Sequence, residues 1–155
     1  MNFSTHKDIE APIDFVFSKV TNFDGYERQA LRRGAQVTRV DGAGPVRVGS
    51  AWDVAFTFRS KDRNLRATVT NIDAPNELEI DTVATGLNSA TVVNLIALSP
   101  KTTRVAVTVD MSAKSLSARL LLQSLKLAKS NLNRRFSRRV NEQVAGIAED
   151  YKRSK

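Results

Sequence analysis

The residues of this sequence that can carry acid–base or metal chemistry are few and scattered. His6 is the only histidine, and there is no cysteine, so a histidine-rich or thiolate metal site cannot form within one chain. The sequence contains no phosphate-binding loop, glycine-rich dinucleotide turn, paired-histidine metal motif or nucleophile elbow. It therefore predicts no metal and no cofactor, and it identifies no catalytic residue.

The single histidine, His6, lies on the first predicted strand, from Phe3 to Ile9. A structural or surface role is the plainer interpretation of a lone histidine near the terminus. A functional role stays open, because the histidine side chain titrates near neutral pH.

Lys129 is the candidate polar group of a binding site. It falls on the apolar stripe of a predicted long helix, between Leu125 and the pair Leu132 and Phe136. A lysine that faces a cavity can orient the carboxylate or carbonyl of a ligand. A lysine at the edge of the stripe instead extends its ammonium group into water, and the sequence leaves both interpretations open.

The clearest predicted strand carries an aromatic face. Apolar and polar residues alternate along it, as in a half-buried strand. Its apolar positions are Trp52, Val54, Phe56 and Phe58. Such a face is either plain core or the wall of a cavity. We expect Asp53 and Arg66 to lie on the opposite face, in solvent.

The chain from about Ser115 to Tyr151 predicts one long amphipathic helix. Apolar residues recur there at spacings of three and four, no proline interrupts them, and the only glycine is Gly146. A helix of roughly 36 residues is about 54 Å long. An apolar stripe of that length needs a large partner surface, and the preceding residues supply one.

Those preceding residues predict a sheet. After the first strand, one short helix runs from Pro12 to Val20, and a second is capped by residues 21–24 and ends near Arg33, before Gly34. Strands are predicted over residues 35–41, 52–58, 65–74, 77–84, 91–98 and 103–110, with polar turns at 61–64 and 99–102. Short turns at this spacing predict an antiparallel meander. The predicted fold class is α+β, with a curved antiparallel sheet of about seven strands around a long C-terminal helix.

The net charge of +8 is high for 155 residues. Positive potential attracts nucleic acid, anionic lipid and anionic small molecules without choosing among them, and a solvated basic face is the alternative. Little aromatic interleaving argues against stacking on single-stranded nucleic acid. The basic residues form an early group, Arg28, Arg32, Arg33, Arg39 and Arg47, and a late group, Lys114, Arg119, Lys126, Lys129, Arg134, Arg135, Arg138, Arg139, Lys152, Arg153 and Lys155.

Hydropathy and length set the remaining bounds. No run of about 18 apolar residues occurs, and the N-terminus has no apolar signal-peptide core. The sequence predicts a single domain over residues 1–155 without a transmembrane segment. Together with the absence of cysteine, this favours a cytoplasmic location.

Two segments resemble a known superfamily. They are residues 9–17, Ile-Glu-Ala-Pro-Ile-Asp-Phe-Val-Phe, and residues 20–26, Val-Thr-Asn-Phe-Asp-Gly-Tyr. With the predicted order of elements, they resemble the helix-grip superfamily of START lipid-transfer domains, birch-pollen-allergen proteins and bacterial polyketide cyclase/dehydrase-like (SRPBCC) proteins. The resemblance is strongest to the last group and covers nearly the whole chain.

The resemblance implies a small hydrophobic ligand of lipid, polyketide or aromatic type, held in a cavity between the sheet and the C-terminal helix. The alternatives are a cyclase or dehydrase acting on a hydrophobic substrate in the same cavity, and binding of an anionic partner, such as anionic lipid, by the basic helix face. The absence of a catalytic cluster favours binding over catalysis. The candidate ligand-binding residues are Trp52, Val54, Phe56, Phe58, Leu125, Lys129, Leu132 and Phe136.

Overall fold

The computed structural model describes all 155 residues as seven strands and four helices. The strands are β1 (Asn2–Ile9), β2 (Gln36–Arg39), β3 (Ala51–Phe58), β4 (Lys61–Asp73), β5 (Glu77–Ala84), β6 (Leu87–Ser99) and β7 (Thr102–Ala113). The helices are α1 (Ile13–Val20), α2 (Phe23–Arg32), α3 (Leu116–Leu127) and α4 (Lys129–Ser154). The predicted fold class is confirmed.

All seven strands form one antiparallel sheet in the order β1-β7-β6-β5-β4-β3-β2. Strands β2 to β7 are a meander, and β1 closes the far edge by pairing with β7. The register shifts between Val69 and Asn71 in β4 and between Ala97 and Ser99 in β6. Irregularities of this kind bend a sheet and increase its twist, and here they help to give it a concave face.

The hairpin between β3 and β4 differs from its prediction. The sequence predicts a turn over residues 61–64, whereas pairing continues to Phe58 opposite Lys61, and the turn consists of Arg59 and Ser60. Both turn residues have positive φ, 52° and 63°, which a type I′ turn requires in order to match the twist of the strands. Polar residues at the start of β4 fit a strand, because an antiparallel sheet can expose one face to water.

The core lies between the helices and one end of the sheet. Its members are Ile9, Ala11, Val16, Val20, Phe23, Trp52, Val69, Leu78, Leu95, Val105 and Val144. At the other end of the sheet, residues 56–67, 82–93 and 107–113 include no buried residue, and Phe3 on β1, opposite Val109, is the one buried side chain. The helices therefore cover the concave face only in part.

The prediction of one uninterrupted C-terminal helix is wrong at Ala128. This residue separates α3 from α4 and has φ −106° and ψ 19°. Its amide donates to the carbonyl of Leu125, only three residues back, and the helical pattern resumes where Leu132 donates to Ala128. Alanine is the best helix former, so the cause is tertiary: α3 packs on β7 while α4 packs on β1, and a straight rod cannot follow a curved sheet over that length. None of the four helices combines the length and apolar character that a bilayer crossing requires.

Candidate functional site

The junction of α1 and α2 fixes the position of Tyr26. The Asn22 side chain caps α2 by accepting a hydrogen bond of 3.1 Å from the amide of Gly25. One residue later, the Tyr26 hydroxyl donates a hydrogen bond of 2.6 Å to the main-chain carbonyl of Val20, the last residue of α1. Burial raises the pKa of Tyr26 to about 12, although 39% of the residue's surface is exposed. A tyrosine hydroxyl is protonated at neutral pH and acts there as a donor.

A cavity of about 520 Å³ opens between the short helices, α4 and strands β6 and β7. We call it the larger cavity, by comparison with a second one under α2. A pocket of about 690 Å³, with a mostly polar lining, lies between the end of β1 and the C-terminal half of α4. The apolar floor of the larger cavity comes from Val93, Val105 and Val107 on the sheet and from Phe136, Val140 and Val144 on α4. Its polar rim includes Lys19, Asn22, Gln29, Arg139, Gln143 and Asp150. The larger cavity therefore combines an apolar interior with a charged entrance.

Two side-chain contacts join the short helices to α4 around this entrance. Gln143 Nε2 donates a hydrogen bond of 3.0 Å to Gln29 Oε1. Lys19 Nζ lies 3.7 Å from a carboxylate oxygen of Asp150. Both contacts are exposed, so each contributes little to stability.

A second cavity of about 270 Å³ lies under α2, against strands β2 to β5. We call it the smaller cavity. Its walls are Phe23, Tyr26, Ala30, Val37, Trp52, Val54, Ala67 and Ile80, with Glu27 as the only charged residue. Tyr26 lines both cavities, which therefore adjoin at this residue.

Trp52 is held firmly in the wall of the smaller cavity. Its ring stacks on Phe23 with centroids 5.1 Å apart and planes 16° apart. Its Nε1 donates a hydrogen bond of 2.6 Å to Glu27 Oε1, which leaves the second oxygen of that carboxylate free to accept from a ligand.

Beside Trp52, a network fixes the connection between β2 and β3. Arg39 donates two hydrogen bonds to Asp41, of 3.0 and 3.1 Å, and fully buried Ser50 donates a third of 2.9 Å. The Arg39 guanidinium holds the pKa of Asp41 well below its usual range, and it lies 5.7 Å from the centre of the Trp52 ring. These contacts keep Trp52 in place while α2 covers it.

The predicted site residues separate into three groups. Trp52 and Val54 line the smaller cavity, and Phe136 lines the larger cavity. Lys129 is exposed, and Phe58 is 44% exposed at the β3–β4 hairpin, between the guanidinium groups of Arg59 and Arg63. The remaining residues line neither cavity and are half-buried: Phe56, Leu125 and Leu132.

The helix that faces the aromatic strand differs from the expected one. The predicted ligand-binding residues combine the Trp52 strand with the C-terminal helix, whereas α2 lies over β2 and β3 in the structure, and α4 lies over β1. Sequence reasoning therefore missed Tyr26, Glu27 and Gln29 as cavity residues. A usable signal existed: Phe23, Tyr26, Glu27 and Ala30 recur at helical spacing and give α2 one face toward the sheet.

The arrangement can bind an apolar molecule more readily than it can transfer protons. Tyr26 is not a base at neutral pH, because a tyrosine hydroxyl is protonated there. Glu27 is the only ionisable carboxylate in the smaller cavity, and one of its oxygens already accepts from Trp52. A hydrogen-bond donor on a ligand would find one free acceptor in an otherwise apolar space.

No protein-family model and no curated protein sequence matches this chain. Solved structures do match. The protein TTHA0849 from Thermus thermophilus has a TM-score of 0.68 at 12% identity, over 97% of this chain and 99% of that one. The Zhui aromatase/cyclase from Streptomyces has a TM-score of 0.65 at 12% identity, over 96% and 93%. Norcoclaurine synthase from Thalictrum flavum has a TM-score of 0.68 at 9% identity, over 98% and 96%. At these identities the likeness is one of fold alone.

Proposed function

We propose that this chain, which has the helix-grip fold, binds a small hydrophobic molecule in the two cavities beside α2. The observation that carries the proposal is the lining of the smaller cavity, where eight of nine residues are hydrophobic and Glu27 is the exception. Ligand sites are concave, mostly apolar and equipped with a few placed polar groups. The two cavities, of about 520 and 270 Å³, fit that description.

The proposed ligand has an apolar body of lipid, polyketide or aromatic type and a polar end. The apolar body contacts Trp52 and Val54 in the smaller cavity or Phe136 in the larger one. A hydroxyl or ammonium group on the ligand would donate to the free oxygen of Glu27. A carboxylate would instead remain at the entrance of the larger cavity, near Lys19 and Arg139.

Binding of a neutral fluorescent probe tests the proposal. N-phenyl-1-naphthylamine is suitable because an anionic probe would also be drawn to a surface of net charge +8. The variant Ala67→Phe fills the smaller cavity, and Ala55→Phe is its matched control, because Ala55 alternates with Val54 and points to the other face of β3.

We expect saturable binding by the wild type, about a tenfold loss of affinity in Ala67→Phe, which corresponds to about 1.4 kcal/mol, and little change in Ala55→Phe. Native mass spectrometry of the purified protein would then identify a co-purified molecule. Failure of the folded wild type to bind neutral probes of several sizes would disprove the proposal, as would equal losses in the two variants.

A second candidate function is a cyclase or dehydrase acting on a hydrophobic substrate in the same cavities. The observation that favours it is Glu27, a carboxylate in an apolar wall, where a side chain can serve as a general base. The variant Glu27→Gln keeps an oxygen to accept from Trp52. If the protein is an enzyme, a molecule that co-purifies with Glu27→Gln should change in chromatographic retention on incubation with the wild type, with loss of the mass of water where a dehydration occurs, and should remain unchanged with Glu27→Gln. If the protein is a carrier, both proteins should leave it unchanged.

A further inference from the structure

Helix α3 has an apolar stripe without a partner in the protein. Leu116, Leu120 and Leu127 are 74%, 60% and 93% exposed, and their spacing of four and seven places them on one side of the helix. The opposite side carries Ala118 and Leu122, which are buried where α3 packs on β7. Three large apolar side chains in one exposed row are unusual on a protein surface unless something covers them.

The surrounding charge is of one sign. Residues 111–141 contain eight lysine and arginine residues and no aspartate or glutamate. Neither α3 nor α4 has an acidic residue in its first turn, and α4 begins at Lys129. Cations near a helix N-terminus are unfavourable, because the helix dipole is positive there, so Lys129 does not serve the local stability of α4. Lys126 lies in the last turn of α3, where the dipole favours a cation.

We propose that α3 docks this protein on an anionic lipid bilayer. Leu116, Leu120 and Leu127 enter the boundary between headgroups and acyl chains, and the helix lies in the plane of the interface. At 100° per residue, Arg119 and Lys126 fall on one flank of the leucine stripe, level with lipid phosphates. An apolar face bordered by basic residues is the pattern of an interfacial helix.

Charge and shape favour a bilayer over other occupants. A second copy docked through the same stripe would bring two acid-free basic segments together, and like charges would repel. The stripe is the convex outer side of a helix about 17 Å long and offers no groove for a peptide. It also lies outside both cavities, so the inference is independent of the proposed ligand.

Co-sedimentation with vesicles tests this docking. Vesicles of mixed phosphatidylglycerol and phosphatidylcholine are compared with vesicles of phosphatidylcholine alone, at low and high salt. One double variant, Leu120→Gln with Leu127→Gln, removes apolar contacts, and another, Arg119→Gln with Lys126→Gln, removes charge. Leu31→Gln is the matched control, because Leu31 is an exposed leucine, 55% accessible, on α2.

We expect the wild type to bind the anionic vesicles only, and salt to weaken the binding. Each double variant should lose about tenfold in affinity, and Leu31→Gln should match the wild type. Unchanged binding of the neutral cavity probe and an unchanged unfolding midpoint would show that the variants are folded and that cavity function is separate.

Three results would overturn the inference. The first is no binding of the wild type to anionic vesicles, including the case in which it binds a soluble acidic polypeptide instead. The second is loss of binding in the charge variant with no loss in the leucine variant, which would indicate charge attraction without insertion. The third is a wild-type dimer in size-exclusion chromatography that the leucine variant converts to a monomer, with vesicle binding unaffected.

Discussion

The hydroxyl of Tyr26 donates a hydrogen bond of 2.6 Å to the main-chain carbonyl of Val20, and this bond links the two short helices at the point where the two cavities meet. The ring packs edge-on against Phe23, with centroids 5.8 Å apart. The shape of both cavities therefore depends on one junction between helices, and the effects of altering it can be measured.

Removing the Tyr26 hydroxyl should destabilise the protein modestly. Tyr26→Phe keeps the ring but leaves the Val20 carbonyl without that donor, at an expected cost of about 1 kcal/mol in the free energy of unfolding. Urea denaturation measures the difference. Tyr151→Phe is the control, because the Tyr151 hydroxyl makes no hydrogen bond within the protein, and equal losses in the two variants would contradict the role assigned to Tyr26.

The same hydroxyl should make stability depend on alkaline pH. Burial raises the pKa of Tyr26 from 10.0 to about 12, so the folded state holds its proton where the unfolded state has lost it. The contribution of Tyr26 to the free energy of unfolding is fully present below its pKa in the unfolded state. It is lost as pH rises through its pKa in the folded state. Between these two values, wild-type stability should fall more steeply with pH than that of Tyr26→Phe, and parallel slopes would disprove the assignment.

Two arginine–aspartate pairs should differ in their effect on stability. In the Arg39–Asp41 pair the side chains are 20% and 17% exposed, whereas in the Arg66–Asp53 pair they are 53% and 51% exposed. The exposed pair is screened by solvent, so Asp41→Asn should lower the unfolding midpoint in denaturant more than Asp53→Asn.

The pKa of Asp41 is lowered by its hydrogen bonds to Arg39. The contribution of Asp41 to the free energy of unfolding is therefore present above its pKa in the unfolded state and is lost as pH falls through its pKa in the folded state. Asp41→Asn should therefore flatten the acid side of the stability profile. A variant that follows the wild-type acid profile would contradict the assignment.

Truncating Phe136 should cost less than a core phenylalanine would. The ring is half-buried beside Phe3, with centroids 5.9 Å apart, so Phe136→Ala should lower the free energy of unfolding by about 2 kcal/mol, below the range for fully buried rings. Phe58→Ala at the exposed hairpin should change it by less than about 1 kcal/mol. Thermal or urea unfolding measures the loss of stability in each variant. Equal losses in Phe136→Ala and Phe58→Ala would show that Phe136 does not pack on the sheet.

Replacing Lys129 should leave probe binding unchanged. The side chain is exposed and lines neither cavity, so Lys129→Met should bind the neutral probe within about twofold of the wild type. Ala67→Phe, measured in parallel, shows the size of a real effect. A loss of probe affinity in Lys129→Met comparable to that in Ala67→Phe would show that Lys129 takes part in ligand binding.

Most of the fold could be predicted from the sequence, because hydrophobic periodicity is a local property of the chain. Alternation from Trp52 to Phe58 and helical spacing after Ser115 each follow from which face of an element is apolar, and neither requires knowledge of distant residues. The same alternation correctly predicted Asp53 and Arg66 on the outer face, where they form an exposed ion pair. The turn at Arg59 and Ser60 was not predicted, because arginine and serine are not residues whose presence indicates a positive φ.

The candidate site could be read only in part. Trp52, Val54 and Phe136 were identified as apolar residues of a face, but the sequence does not say which helix covers which strand. Tyr26 and Glu27 were not predicted as cavity residues, because they line the cavities only when α2 lies over β3. The break at Ala128 was not predicted for a related reason. Alanine favours a helix, and only contact with a curved sheet interrupts the helix at this residue.

The sequence by itself determined the elements apart from the break at Ala128, their order, the apolar face of the Trp52 strand and the acid-free basic segment of residues 111–141. Only the tertiary structure decided where the cavities lie, that they adjoin at Tyr26, and that Leu116, Leu120 and Leu127 face away from the protein. The physical reason is that secondary structure depends on neighbours along the chain. A cavity or an uncovered stripe depends instead on how far apart separate elements come to rest, and that distance is set by sheet curvature and helix packing together.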